Sequence, residues 1–309
     1  MAETRHSLGH RLWIYQAERF PLARNGLLIA MFSAAGATLS AVLGGRTPPA
    51  AGAYAVAFMV AFLAFYQLRA ADEVKDAEDD RRFRPERAVP RGLVSLRLLV
   101  GLGVAAAICQ AVAAVWLDAR LLALLGVVWL WMAAMSMEFG ARVWLRGRPL
   151  TYMVSHMMIM PLIDFFVTAC EWMPRAGKPP TALMAFLLLS FANGCVIEIG
   201  RKTRAPENER SGVDSYSRLW GPRRAVAAWM AALTAAEALA VAVGVDAGAT
   251  MWVTAGAVLA ALPALRAALA FLRDPTPRAQ AAVDQGAGLW VLGSYLSVGL
   301  GPVLARMAA

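Results

Sequence analysis

Ala51-Gly-Ala-Tyr-Ala-Val-Ala-Phe-Met-Val-Ala-Phe-Leu-Ala-Phe-Tyr-Gln-Leu68 runs straight into Arg69-Ala-Ala-Asp72-Glu73-Val-Lys75-Asp76-Ala-Glu78-Asp79-Asp80-Arg81-Arg82. The first half carries no charge and the second carries little else. An apolar run of about this length matches the roughly 20 helical residues that cross a bilayer core of about 30 Å. Its apolar positions do not alternate with period two, and in lipid only helices and closed barrels satisfy their own backbone, so the run is a helix.

The same pattern repeats along the chain. Nine candidate spans lie at about 26–43, 51–68, 98–116, 121–137, 152–170, 182–199, 225–243, 251–271 and 286–304. The composition agrees: 59% of the 309 residues are hydrophobic and only 17% are charged, against roughly 25% in soluble domains. A soluble enzyme is excluded. The reading is an all-α, multi-pass transmembrane bundle forming one domain over residues 1–309. Within residues 5–21, Leu8, Leu12, Ile14, Tyr15 and Phe20 mix with Arg5, Arg11 and Arg19, the pattern of an amphipathic helix in the membrane interface. Pro21 closes it. No cleavable signal peptide is expected, because this polar arm is too long for an ordinary n-region.

The net charge of +9 suggests nucleic acid only until the charges are placed. With the N-terminus inside, 24 of the 30 lysines and arginines fall in the N-terminal arm and the loops after spans 2, 4, 6 and 8. That is the positive-inside pattern, so the expected topology is N-in and C-out, with no nucleic-acid partner. Cys109, Cys170 and Cys195 sit inside apolar runs without metal-type spacing, and three histidines exclude a histidine-rich metal site. High alanine and arginine with three lysines is the composition of a GC-rich bacterial genome, which points to a bacterial cytoplasmic membrane.

Two cytoplasmic segments carry the chemistry. Asp72, Asp76 and Asp80 are spaced i, i+4, i+8, so a helix continuing out of span 2 places them on one face. Three carboxylates on one face repel unless a cation sits among them. Mg²⁺ is commonly held by one or two carboxylates together with substrate phosphates. Arg69 and Lys75 are placed to meet a phosphate. The plain alternative is a solvated run of mixed charge. The second segment ends span 6: Asn193-Gly-Cys-Val-Ile-Glu198-Ile-Gly-Arg201-Lys202-Thr-Arg204-Ala-Pro206-Glu207. Glu198 at the membrane edge requires a partner, and Arg201 and Lys202 are its i+3 and i+4 neighbours. Here the alternative is a helix-capping ion pair. Four spans separate the two segments, the mark of a weak internal repeat.

Together the segments resemble the UbiA superfamily of intramembrane prenyltransferases. That family has nine transmembrane helices around a central cavity, an NxxxDxxxD motif after helix 2 and a DxxxD-type motif after helix 6. In this chain Asp72 stands at the Asn position, and Asp76 and Asp80 at the two Asp positions. Arg87-Ala-Val-Pro90-Arg91-Gly92 resembles the family's Arg-Pro-x-Pro-x-Gly stretch, and Gly212 to Gly221 resembles the segment entering helix 7. The second motif departs from the pattern: Glu198 and Glu207 fall near its acids, while Arg201, Lys202 and Arg204 occupy a stretch normally rich in aspartate.

The resemblance implies Mg²⁺ on Asp72, Asp76 and Asp80, with Glu198 and Glu207 as second-motif ligands. It implies a prenyl diphosphate, a lipophilic acceptor and an active side facing the cytoplasm. Arg69, Lys75, Arg146, Arg148, Asn193, Arg201, Lys202 and Arg204 are the expected substrate-binding groups, the last cations standing in for a second metal ion. Asp164, mid-way along span 5, is an intramembrane acid and so a functional residue by default. His156 lies two turns earlier on roughly the same face, and Glu138 ends span 4. Either could serve beside Asp164 as acceptor ligand or base, although each also suits a packing role.

Three other readings stay open: a terpene cyclase of the same superfamily, a non-catalytic binder of prenyl phosphates or anionic lipids, and a transporter. No pair of Gly- or Pro-broken spans supports the last. Acceptor, chain length and oligomeric state are not encoded legibly. The topology is tested by single cysteines. Labels at 78 and 207 should react from the cytoplasmic side, and labels at 47 and 178 from the outside; the reverse result overturns N-in.

Overall fold

A computed structural model of the chain describes residues 7–210 and 212–308, without the side chain of Arg146. Among these residues there is no strand, and the helices follow the apolar runs. Helix α1 (Leu8–Arg19) is followed by α2 (Leu22–Leu43) and α3 (Ala51–Lys75). The short α4 (Ala77–Phe83) leads to α5 (Leu96–Leu117) and α6 (Leu121–Ser136). Then come α7 (Arg142–Arg146), α8 (Pro149–Met157), α9 (Ile159–Ala176) and α10 (Leu183–Arg201). The chain ends in α11 (Tyr216–Trp220), α12 (Pro222–Asp246), α13 (Thr250–Arg273) and α14 (Pro277–Ala308). Eight passages are long and apolar enough to cross a membrane, α8 and α9 counting as one, and the shorter apolar α6 makes the ninth.

The most deeply packed passages are α2, α8–α9, α10 and α14. Helix α2 meets α3, α9 and α14, and α10 meets α9, α12 and α14. The N- and C-terminal passages therefore close the bundle side by side. At its centre the Tyr295 ring lies 4.8 Å from Phe32 and 5.9 Å from Phe186. Small residues set the closest approach: a Cβ at Gly299 would stand 2.7 Å from Ala35. That is the packing mode available to helices in lipid, where apolar burial alone drives little association.

Two features depart from the sequence reading. The fifth span, expected as one helix over 152–170, is broken between α8 and α9 at Met158. Pro161 explains the break, since it has no N–H for the carbonyl of Met157 and its ring crowds that carbonyl. The interfacial helix is shorter than 5–21: Ser7 caps it, accepting from the N–H of His10, and it ends at Arg19. Residues 5 and 6 lie outside the described residues. Helix α1 is fastened to the charged end of the bundle. Arg19 Nε donates to Glu73 Oε1 at 2.5 Å, Arg11 Nε donates to the Leu93 carbonyl at 2.7 Å, and Arg91 pairs with Glu18 at 2.7 Å.

At the opposite end, buried Glu171 on α9 accepts from Arg46 Nε and Nη2 at 2.7 Å each and from Ser40 Oγ at 2.8 Å. Arg175 adds a contact at 3.5 Å. Removing one member of a buried pair costs about 3–5 kcal/mol because the survivor keeps its charge. Glu171→Ala strands two guanidiniums and should lower the thermal unfolding temperature in detergent more than Arg46→Ala, which leaves Arg175 on the carboxylate. Equal effects would show that Arg175 contributes nothing.

Candidate functional site

The charged end brings together the end of α3 with α4, the 138–148 segment, α8, and the end of α10 with the loop that follows. The two segments marked by sequence touch directly. The Phe83 ring fills the space that a Cβ at Gly212 would need, at 2.6 Å, and Gly212 has a φ of +76°. Arg210 pairs with Glu86 at 2.7 Å. Further in, Arg201 lies within electrostatic reach of both Asp72 and Arg69.

Helix α3 continues two turns beyond the predicted span, as the acid spacing requires. It bends at Asp76 yet keeps the i to i+4 register: Asp76 N–H donates to the Asp72 carbonyl at 2.9 Å, and Asp80 N–H to that of Asp76 at 2.7 Å. The three carboxylates nevertheless have different surroundings. Asp72 is half-exposed, with Arg69 at 3.6 Å. Asp80 is 2% exposed and held by Arg87 at 2.7 Å and Arg84 at 3.2 Å. Asp76 lies between them, and burial, then the charge of Asp72, holds its pKa above the ordinary value.

Lys75 is the hub of the inner site. Its Nζ donates to Tyr152 Oη at 2.6 Å and pairs with Glu138 Oε1 at 3.0 Å. His156 Nε2 lies 3.4 Å away. His156 Nδ1 is 2.8 Å from the Tyr152 carbonyl, which can only accept, so Nδ1 carries the proton and Nε2 faces the ammonium as an acceptor. The Tyr152 ring stacks on His156 at 3.9 Å and has Lys75 at 4.9 Å and Lys202 at 5.4 Å from its centroid. Lys202 and Arg201 each contact Glu198 at 2.7 Å.

Glu138 reaches Lys75 from a strained turn: Glu138 and Phe139 have φ of 52° and 53°, positive at two consecutive non-glycine residues. Its second oxygen, Oε2, is buried with no hydrogen-bond partner among the described residues. Strain and an unsatisfied buried carboxylate oxygen coincide at the mouth of the site.

The remaining predicted residues separate into two groups. Arg204 is near the mouth; burial lowers its pKa, Glu209 opposes that, and Arg84, Arg210 and Arg201 push the same way as burial. Arg148 turns outward, donating to the Trp144 carbonyl at 3.3 Å with its guanidinium 4.4 Å from the Trp144 ring. Glu207 sits in an exposed single turn, Pro206–Asn208. The Arg146 side chain lies outside the described residues. Asn193 is buried in a tie between α10 and α14, donating to Ser294 Oγ at 3.0 Å and accepting from Trp290 Nε1 at 2.8 Å. Asp164 is fully buried mid-bundle, accepting from Tyr295 Oη at 2.5 Å with Ser190 beside it. Sequence reading had no role for Tyr152, Arg84 or Arg87. The signal for Tyr152 was its i, i+4 relation to His156.

Among the described residues no three acids, histidines or cysteines gather into a ready-made metal cage. Asp72 and Asp76 provide two carboxylates on one face, the number Mg²⁺ takes when phosphates complete its shell. The donor set therefore fits a metal ion arriving with a phosphorylated substrate.

The fold and site define an intramembrane helical bundle with an acid–base cluster at one end. No family model and no curated protein sequence matches the chain. Solved structures do. A UbiA homolog from Aeropyrum pernix K1 superposes with a TM-score of 0.66 over 90% of this chain and 98% of that one, at 20% identity. A digeranylgeranylglyceryl phosphate synthase of membranes gives 0.65 over 96% and 99%, at 14% identity. The chain has the UbiA-type fold.

The raised pKa of Asp76 fixes the sign of a pH test. The protonated form is the one burial favours, so its stabilisation is full below the ordinary aspartate pKa and lost as pH rises through the higher folded value. Without divalent cation, the unfolding temperature should fall across that window. Mg²⁺ should remove the slope, and Asp76→Asn should abolish both the slope and the response to Mg²⁺. A slope unchanged in Asp76→Asn assigns the titration to another group.

Proposed function

We propose that the chain is a UbiA-superfamily enzyme that transfers a prenyl group from a prenyl diphosphate to a lipophilic acceptor in the membrane. The supporting observation is the cluster in which Lys75 and Lys202 both approach the Tyr152 ring, Lys202 and Arg201 share Glu198, and Asp72 lies within electrostatic reach of Arg201. This is a multivalent cationic site beside two available carboxylates, at the end of an apolar bundle.

In this reading the diphosphate lies at the charged end and the prenyl tail extends among the spans. The C1–O bond of an allylic diphosphate breaks as the leaving group gathers negative charge. Lys75, Arg201, Lys202 and Arg204 are fixed charges positioned where that charge grows. Mg²⁺ on Asp72 and Asp76, when bound with the substrate, supplies Lewis-acid neutralisation of the leaving diphosphate. Asp80 acts through its arginines, fixing Arg84 and Arg87 at the rim.

Glu198 holds Arg201 and Lys202 until a diphosphate arrives. Glu138, with a buried oxygen that has no partner among the described residues, and His156, with a proton on Nδ1, are the groups that would take a proton from an acceptor. Asp164 lies deeper, beside the path of the tail. The active side is the cytoplasmic one by the charge distribution. A second reading is a binder of prenyl phosphates; the occupation of Asp80 by two arginines and of Glu198 by two cations favours it.

Pyrophosphate release separates the two. The purified protein should release it from C10 to C20 prenyl diphosphates only with Mg²⁺, with a rate that depends on added membrane lipid if an external acceptor is used. Asp76→Ala should lose about 100-fold in rate, about 2.7 kcal/mol of transition-state stabilisation, while remaining folded. Release without lipid favours the cyclase. Tight binding with no release under any condition would falsify the transfer reading and leave the binder.

A further inference from the structure

The strained turn after α6 and the short α7 that follows it are held from within and bare on the outside. Lys75 pairs with Glu138 at 3.0 Å, the Phe139 ring lies 5.4 Å from Trp131 and 5.9 Å from His156, and Leu145 is 3% exposed. On the other side Val143 is 88% exposed and Trp144 50%, with Met137 and Leu150 exposed before and after them. Arg142 and Arg148 are exposed on the same stretch.

The charge here is one-sided. Residues 139–163 include no aspartate or glutamate, yet arginine stands at 142, 146 and 148. The cations nearer the site have acids: Lys75 has Glu138, Arg201 and Lys202 have Glu198, and Arg84 and Arg87 have Asp80. Arg142 and Arg148 have none among the described residues. Arg148 is also oriented in advance. Its guanidinium lies 4.4 Å from the Trp144 ring and donates to the Trp144 carbonyl at 3.3 Å. Stacking occupies the face of a guanidinium and leaves N–H groups at its edge for a phosphate.

Bulk water would leave Val143 and Trp144 uncovered, and hydrocarbon would leave Arg142 and Arg148 without counter-charge. A negatively charged headgroup layer meets both needs, with tryptophan at the headgroup level and arginine beside the phosphates. We infer that residues 142–148 bind the headgroup of an anionic phospholipid, its phosphate at the edge of Arg148, with Arg142 adding charge and the tops of its chains against Val143 and Trp144. The site lies outside the Lys75 cluster, and its occupancy does not depend on prenyl transfer.

The full chain is placed in phosphatidylcholine nanodiscs with a small share of photolipid, either phosphatidylglycerol or phosphatidylcholine, each carrying the same diazirine near the top of one chain. Crosslinks are mapped by mass spectrometry. A basic residue near an anionic headgroup favours it by about five-fold, so phosphatidylglycerol should label the 142–150 stretch at least that much more than phosphatidylcholine. The lipid-facing stretch of α5 around Val104, Ile108 and Val112, exposed and uncharged, should take both alike. Arg142→Gln with Arg148→Gln should equalise the probes at 142–150 and leave the unfolding temperature unchanged, because neither guanidinium has an acidic partner to lose. Soluble glycerol phosphate in excess should not compete. Equal labelling by the two probes in the wild type overturns the inference, as does a preference that survives in the double variant. Labelling abolished by glycerol phosphate would make the ligand a free phosphate and overturn the lipid. If the double variant fails to fold, salt decides: the wild-type preference should fade at high ionic strength, and one indifferent to salt is not made by these exposed charges.

Discussion

A charge carried to the edge of hydrocarbon, or into it, must find its partner inside the protein. An isolated aspartate, lysine or arginine at the centre of a spanning helix costs about 2.5–3.5 kcal/mol on insertion scales. The organisation of this chain follows from that cost. Glu171 is enclosed by Arg46 and Ser40 at one end of the bundle. Asp164 has Tyr295 at mid-depth. Glu198 holds two cations and Lys75 has Glu138 at the other end. All but the Glu198 pairing, which is local to the end of α10, also join elements distant in sequence: α2 to α9, α9 to α14, α3 to the turn after α6. The polar groups thus fix which helices are neighbours, and small residues such as Gly299 let those neighbours approach.

The same accounting separates scaffold from site. Asn193 and Asp80 are saturated: every strong partner they need is supplied by Trp290 and Ser294, or by Arg84 and Arg87. In this structure Asn193 ties α10 to α14, and Asp80 ties α4 to the loop that carries Arg87. Glu138 is different, because one oxygen is buried without a partner among the described residues and the backbone that presents it is strained. Satisfied pairs elsewhere in the fold offset that cost, and unsatisfied capacity at the charged end is what a ligand can use.

The spans were legible because apolar length is a one-dimensional signal, and the continuation of α3 past the membrane followed from the spacing of Asp72, Asp76 and Asp80. What those acids contact was not legible. Arg84 is an i+4 neighbour of Asp80, which a helical reading can find, but Arg87 returns from a loop whose course depends on Pro85 and on packing against α1. The break at Met158 was encoded in Pro161, yet a hydropathy window averages over a proline within an apolar run. Tyr152 reads as one more aromatic residue near an interface. Its importance comes from Lys75 and Lys202, which approach from helices far away in sequence.

On the proposed reading, the departure of the second segment from an acidic pattern has a physical logic. A second metal ion held by carboxylates supplies movable positive charge but must be recruited from solution. Arg201 and Lys202 supply it permanently, at the cost of repulsion between two neighbouring cations at a partly exposed helix end. Glu198 relieves that repulsion when the site is empty, contacting both at 2.7 Å. A monovalent headgroup gains little by displacing a carboxylate that is already tethered three and four residues away. A diphosphate carries more charge and more acceptor oxygens, and it reaches Lys75 and Arg204 as well, so it can compete. The tethered glutamate therefore sets a threshold: it keeps the cations in place and favours a multivalent anion over the singly charged headgroups that surround the protein.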